Sequence, residues 1–152
     1  ACMALGSLGE KAEEGVPRLG KALGEELMLM RYMAANALGA IGPKAASVVD
    51  KVAAAVQDKD PGVQNKDQWA LSRMGAKAVP ALLEMMKSED EEMQRKGADT
   101  LGAIGKEAKA AVPELREVCR RKEPSPLILG HTLSAIGNIG PEEIELALTE
   151  LR

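Results

Sequence analysis

The sequence predicts an all-α fold: a right-handed solenoid of about five two-helix repeats, the first of them truncated. That expectation rests on a phrase that recurs along the chain, on the helical spacing of the apolar residues around it, and on the make-up of the core. "ALGSLG" begins at Ala4, "ALGAIG" at Ala37, "ALSRMG" at Ala70, "TLGAIG" at Thr100 and "TLSAIG" at Thr132. The leucines at their second positions, Leu5, Leu38, Leu71, Leu101 and Leu133, lie 33, 33, 30 and 32 residues apart. Self-similarity at such a period marks stacked supersecondary units. Hydrophobic residues make up 45% of the 152, yet there is no Phe, one Trp and one Tyr. A core of Ala, Leu, Val, Ile and Met suits helices packed through small side chains and does not suit a β-sandwich.

The units are expected at residues 1–26, 27–59, 60–89, 90–123 and 124–152, forming one domain over 1–152. In the first, Ala1 aligns with Ala34 in mid-helix, which suggests a piece of a longer array; its second helix opens at Pro17. In the second, Ala34, Ala37, Leu38 and Ile41 recur at i, i+3, i+4, i+7, one buried helical face. Gly42 then stops that helix, and "SVVDKV" from Ser47 opens the next. The third starts at Asp60-Pro61, a side-chain cap followed by a proline whose missing N–H has no helical partner to lose. It is short because three residues are missing between Gly75 and Val79, and its second helix opens at Pro80. The fourth repeats the pattern with Pro113. The fifth starts at Ser125-Pro126 in the same capped manner and closes with "GPEEIELALTELR". There Glu142 and Glu143 sit where the helix dipole favours negative charge, and that helix could cap the array.

A helix ending A-L-G-x-I-G, a short linker and then A-V-P-x-L resembles the short HEAT-like repeat, of the type also found in phycobilisome lyases. The resemblance covers essentially the whole chain. Ankyrin repeats would carry T-P-L-H, and tetratricopeptide units a Trp and a Tyr around the Leu-Gly pair. The family often has Val-Arg eight and seven residues before the key leucine. This chain has Met30-Arg31, then Val63-Gln64 and Met93-Gln94, so a continuous arginine ladder is not expected.

Tests for chemistry find little. "GVPRLGKA" from Gly15 nearly spells a phosphate loop, but Ala22 replaces the magnesium-binding hydroxyl and no strand precedes it. "DKDPG" from Asp58 resembles the start of a calcium loop, but Trp69 occupies the twelfth position, where a bidentate Glu is needed. His131 is the only histidine, which excludes multi-histidine metal sites and the paired His-Glu iron ligands of HEAT-like deoxyhypusine hydroxylases. No nucleophile elbow appears. No cofactor is expected. Net charge is −3, which makes nucleic acid an unlikely partner; HEAT-like DNA glycosylases would need more positive charge. The basic cluster Arg116, Arg120, Arg121 and Lys122 reads as complement to a helix C-terminus rather than as a phosphate site. Cys2 and Cys119 have no metal or redox spacing and read as small buried residues in a reducing compartment. There is no apolar run long enough to span a membrane and no signal segment, so no membrane partner and a cytoplasmic location are expected.

One pattern points to recognition. Two residues before each key leucine stand Met3, Asn36, Trp69, Asp99 and His131. Six before stand Tyr32, Asn65, Arg95 and Leu127. Four apart, the columns share a helix face, and stacking sets them side by side as a stripe. Trp, Tyr and Arg dominate binding energy where interfaces form. The partner-binding residues expected are Tyr32, Asn36, Asn65, Trp69, Arg73, Arg95, Asp99 and His131. The competing readings are an arbitrary solvated face and, for Trp69, a buried gap-filler. Asp67, standing where Ala34 stands one unit earlier, needs a partner if buried, and Arg31 is the expected one. Function is read as a non-enzymatic module binding a protein or peptide. The alternatives are a lyase-like or isomerase-like role on a tetrapyrrole, implied by the resemblance, and a spacer in a longer array.

Overall fold

The computed structural model describes residues 9–121 and 125–150. Among them every regular element is helical: α1 (Val16–Ala22), α2 (Met28–Ile41), α3 (Val49–Ala55), α4 (Pro61–Met74), α5 (Val79–Met86), α6 (Glu91–Ile104), α7 (Val112–Cys119), α8 (Pro126–Ile139) and α9 (Pro141–Glu150). Tight 3₁₀ turns fill Gly9–Gly15, Gly42–Val48, Gly75–Ala78 and Gly105–Ala111. The chain forms two compact units, Ala1–Ala81 and Leu82–Arg152. In the first, α2 packs along α4, with α1 against α2 and α3 against α4; in the second, α6 packs along α8, with α7 against α8. First helix on first helix, with the preceding second helix alongside, is the predicted all-α solenoid class. The truncated first helix and Met3 lie outside the described residues, as do Cys2 and Lys122.

The four first helices are each 14 residues long, and their equivalent positions explain the sequence phrase. Leu38, Leu71 and Leu101 are fully buried. The residue after each is Gly39, Ser72 or Gly102; at Gly39 and Gly102 the neighbouring helix crosses closely. A Cβ on Gly102 would lie 3.1 Å from the Ala135 Cα. The stop glycines Gly42, Gly75 and Gly105 have φ of +68°, +61° and +67°, a region L-residues enter only with strain. Pro17 and Pro113 sit in the first turn of α1 and α7. The third unit is short in the linker, where Gly75–Ala78 spans 4 residues against 7 in Gly42–Val48 and Gly105–Ala111.

The last unit corrects the sequence register. α8 runs on to Ile139 and ends at Gly140, so "AIGNIG" from Ala135, not "TLSAIG", matches the earlier phrase. Ile136, fully buried, takes the place of Leu101; Leu133 is only partly buried. Gly140 has φ −161° and leads straight into α9, so this unit lacks the left-handed stop.

Capping also departs from expectation once. The Asp60 carboxylate accepts from the N–H groups of Gly62 and Val63 at 2.8 and 3.2 Å, and Asp90 likewise from Glu92 at 2.9 Å. Ser125 makes no side-chain cap bond. Position four of α2, α4 and α6 supplies a lock that replaces the arginine ladder. Arg31 donates to the Glu25 and Glu26 carbonyls at 3.0 and 2.8 Å. Gln64 donates to the Asp58 carbonyl and Gln94 to the Ser88 carbonyl, each at 2.5 Å. The residue type changes, but each side chain reaches back six residues to satisfy a loop carbonyl that helix geometry leaves open.

Candidate functional site

The predicted columns fall on two separate clusters, one in each compact unit. In the first unit Tyr32 of α2 and Trp69 of α4 flank the Lys66 ammonium, which lies 5.2 Å from the Tyr32 ring centre and 4.7 Å from that of Trp69. Both distances are within cation–π range. Trp69 is seated by the small residue opposite it: a Cβ on Gly39 would come within 2.3 Å of the Trp69 ring. The ring is therefore packed at one edge and 38% exposed overall, so it is not a buried gap-filler. Asn36 is half-buried, and Asn65 and Arg73 are exposed.

Lys66 falls outside the sequence columns because it stands three residues before Trp69 rather than four. Its long side chain bridges a gap that column counting assigns to Asn65. A lysine at i−3 from an exposed helical tryptophan is the signal that points to it.

In the second unit Arg95 of α6 donates from its two terminal nitrogens to Asp99 at 2.8 Å and to Glu92 at 2.6 Å. His131 Nδ1 of α8 meets the other Asp99 oxygen at 2.6 Å. The Arg95 bond holds the Glu92 carboxyl below its ordinary range, and Glu92 in turn raises the Arg95 guanidinium. His131 owes its place to the pairing with Asp99 rather than to the counted column, since the corrected register makes it equivalent to Lys66 and Lys96. Leu127 is exposed and joins neither cluster.

The expected Arg31–Asp67 pair does not form. Arg31 instead grips Asp58 with two bonds, Nε to Oδ2 at 2.5 Å and a terminal nitrogen to Oδ1 at 3.0 Å. That bond holds Asp58 below the usual carboxylate range. Asp58, in the loop before α4, reaches the guanidinium first and also accepts from the Asp60 N–H at 2.8 Å. Asp67 is fully buried with neither carboxylate oxygen hydrogen-bonded. Burial, reinforced by the negative Asp58 and opposed by Arg31, pushes its pKa up to about 7. It occupies position seven of α4, where the other first helices carry Ala34, Gly97 and Thr132. The Thr132 hydroxyl is likewise buried without a partner.

Arg120, which caps the C-terminus of α7, pairs with Glu117, and Cys119 is buried. Lys109 pairs with Glu142 and Glu143 at the start of α9. Among the described residues no His, Cys, Asp and Glu grouping could hold a metal ion, and no helix is long and apolar enough to cross a membrane.

A family model for HEAT repeats matches residues 16–98 and again 52–129. No curated protein matches the chain. Among solved structures, the crystal structure of an engineered protein, a Northeast Structural Genomics Consortium target, aligns with a TM-score of 0.55 at 19% identity. The alignment covers 98% of this chain and 75% of that one; at that identity the likeness speaks for the fold alone.

Proposed function

Because this chain belongs to the HEAT-repeat family, we propose that it is a non-enzymatic interaction module. It holds a protein or peptide against its first-helix faces: Tyr32, Asn36, Asn65, Trp69 and Arg73 in one unit, and Arg95, Asp99 and His131 in the other. The observation that carries this reading is the seated but exposed Trp69. A tryptophan held at one edge by the opposing helix and by Lys66 loses little conformational freedom when a partner covers it. Tryptophan, tyrosine and arginine are also the residues whose burial contributes most to interfaces. The helices supply rigidity, and the two clusters supply different chemistry: aromatic and cationic in the first, a closed ion-pair network in the second.

The test is capture from the native lysate by the wild type, by Trp69→Ala/Tyr32→Ala, and by a Glu84→Ala/Lys87→Ala control away from the face. Loss of the same partners in the aromatic variant alone supports the reading. Identical capture by all three refutes it.

A further inference from the structure

We propose that the occupant of the Tyr32–Lys66–Trp69 face is an acidic, extended peptide segment. It carries two carboxylates four residues apart with an apolar side chain midway between them. This rests on the reading of that face as a binding surface and names the chemistry it selects.

The argument starts from charge. Five Lys and Arg residues lie on the first helices α2, α4 and α6: Arg31, Lys66, Arg73, Arg95 and Lys96. Three have carboxylate partners: Arg31 with Asp58, and Arg95 and Lys96 with Glu92. Among the described residues, Lys66 and Arg73 have none. The one carboxylate within α4, Asp67, is fully buried. The outer face of α4 is thus cationic on a chain whose net charge is −3, and an anionic partner complements it.

Geometry sets the spacing. Lys66, Trp69 and Arg73 fall at i, i+3 and i+7 along one side of α4. Seven residues of helix span about 10 Å, with Trp69 about 4.5 Å from the Lys66 end. In an extended peptide alternate side chains share a face, so residues i, i+2 and i+4 face the helix together over about 13 Å, a span that the long Lys66 and Arg73 side chains can meet. A carboxylate opposite Lys66 therefore places the side chain two residues on over the tryptophan and a second carboxylate, four residues on, near Arg73. The rings hold Lys66 in place, so pairing it costs less side-chain entropy than pairing a free lysine. The Asn36 and Asn65 carboxamides, each able to donate and accept, suit a peptide backbone. Phosphates with stacked bases could use the same groups, but only two cations are on offer here, and so few phosphate contacts support little affinity.

The experiment probes an array of immobilised hexapeptides spanning acidic, neutral and basic compositions, with oligo-dT alongside. The proteins are the wild type, Trp69→Ala and Lys66→Glu/Arg73→Glu, each checked for helical circular dichroism. The expected result is Trp69-dependent binding to peptides with the acid–x–apolar–x–acid spacing. That binding should weaken as salt rises and fall by about tenfold or more in the charge-reversed variant. Trp69-dependent binding confined to neutral or basic peptides would overturn the acidic occupant while leaving the face a binding surface. Tighter binding to oligo-dT would overturn it in favour of nucleic acid. Binding that ignores Trp69 altogether would sink both this proposal and the reading beneath it.

Discussion

Replacing Asp67 with alanine is expected to stabilise the protein at neutral and alkaline pH. Asp67 is fully buried, and neither of its oxygens has a hydrogen bond. The space suits a small residue, since Ala34 and Gly97 stand at the same repeat position and are buried there. The carboxyl rises from an ordinary 3.8 to about 7, which corresponds to roughly 4 kcal/mol of destabilisation once it is ionised. Lost packing in the variant offsets about 1 kcal/mol of that, leaving a gain of about 3 kcal/mol. The sign follows from linkage. The folded protein holds the Asp67 proton more tightly than the unfolded chain does. Its contribution is therefore fully present below pH 3.8 and is lost as pH rises to about 7. The gap between variant and wild type should widen by roughly 2.5 kcal/mol between about pH 5 and about pH 8. Urea unfolding followed by helical circular dichroism at both pH values measures it, and groups common to both proteins cancel in the difference. A variant less stable than wild type at the higher pH, or a gap that does not change with pH, would refute the reasoning.

Three further outcomes follow from packing. Gly39→Ala puts a Cβ 2.3 Å from the Trp69 ring and 3.0 Å from the Ala70 Cα. It should cost about 1–3 kcal/mol and shift Trp69 emission as the ring is displaced. Ile136→Ala should cost about 2–5 kcal/mol and Leu133→Ala distinctly less; the reverse order in urea unfolding would restore the register read from the sequence. Gly105→Ala, at φ +67° and ψ −138°, should cost about 1–3 kcal/mol. Gly140→Ala, on extended backbone, should lower the thermal midpoint less.

The features legible in the sequence were those fixed by backbone rules. The stop glycines Gly42, Gly75 and Gly105, the helix-opening Pro17 and Pro113, and the leucines Leu38, Leu71 and Leu101 each obey a constraint that acts within a turn or two of the chain. The register of the last repeat is ambiguous in the sequence because "TLSAIGNIG" contains two Ile-Gly pairs three residues apart. Both satisfy the helical period, and the stop falls where Pro141 opens the next helix. Side-chain partners were less legible. Arg31 had two carboxylates within reach, and position along the chain cannot show that Asp58 folds back onto it. Tyr32 and Trp69 come together at Lys66, which joins them only through the length of its side chain.

The central claim is that the first-helix faces are where a partner sits. Backbone amide NMR of the labelled protein, titrated with the tightest Trp69-dependent peptide, tests it most directly. The account predicts the largest shifts over residues 32–39 and 65–73, with the Trp69 indole N–H moving most. Shifts concentrated in α1, α3 or α7 instead would contradict it.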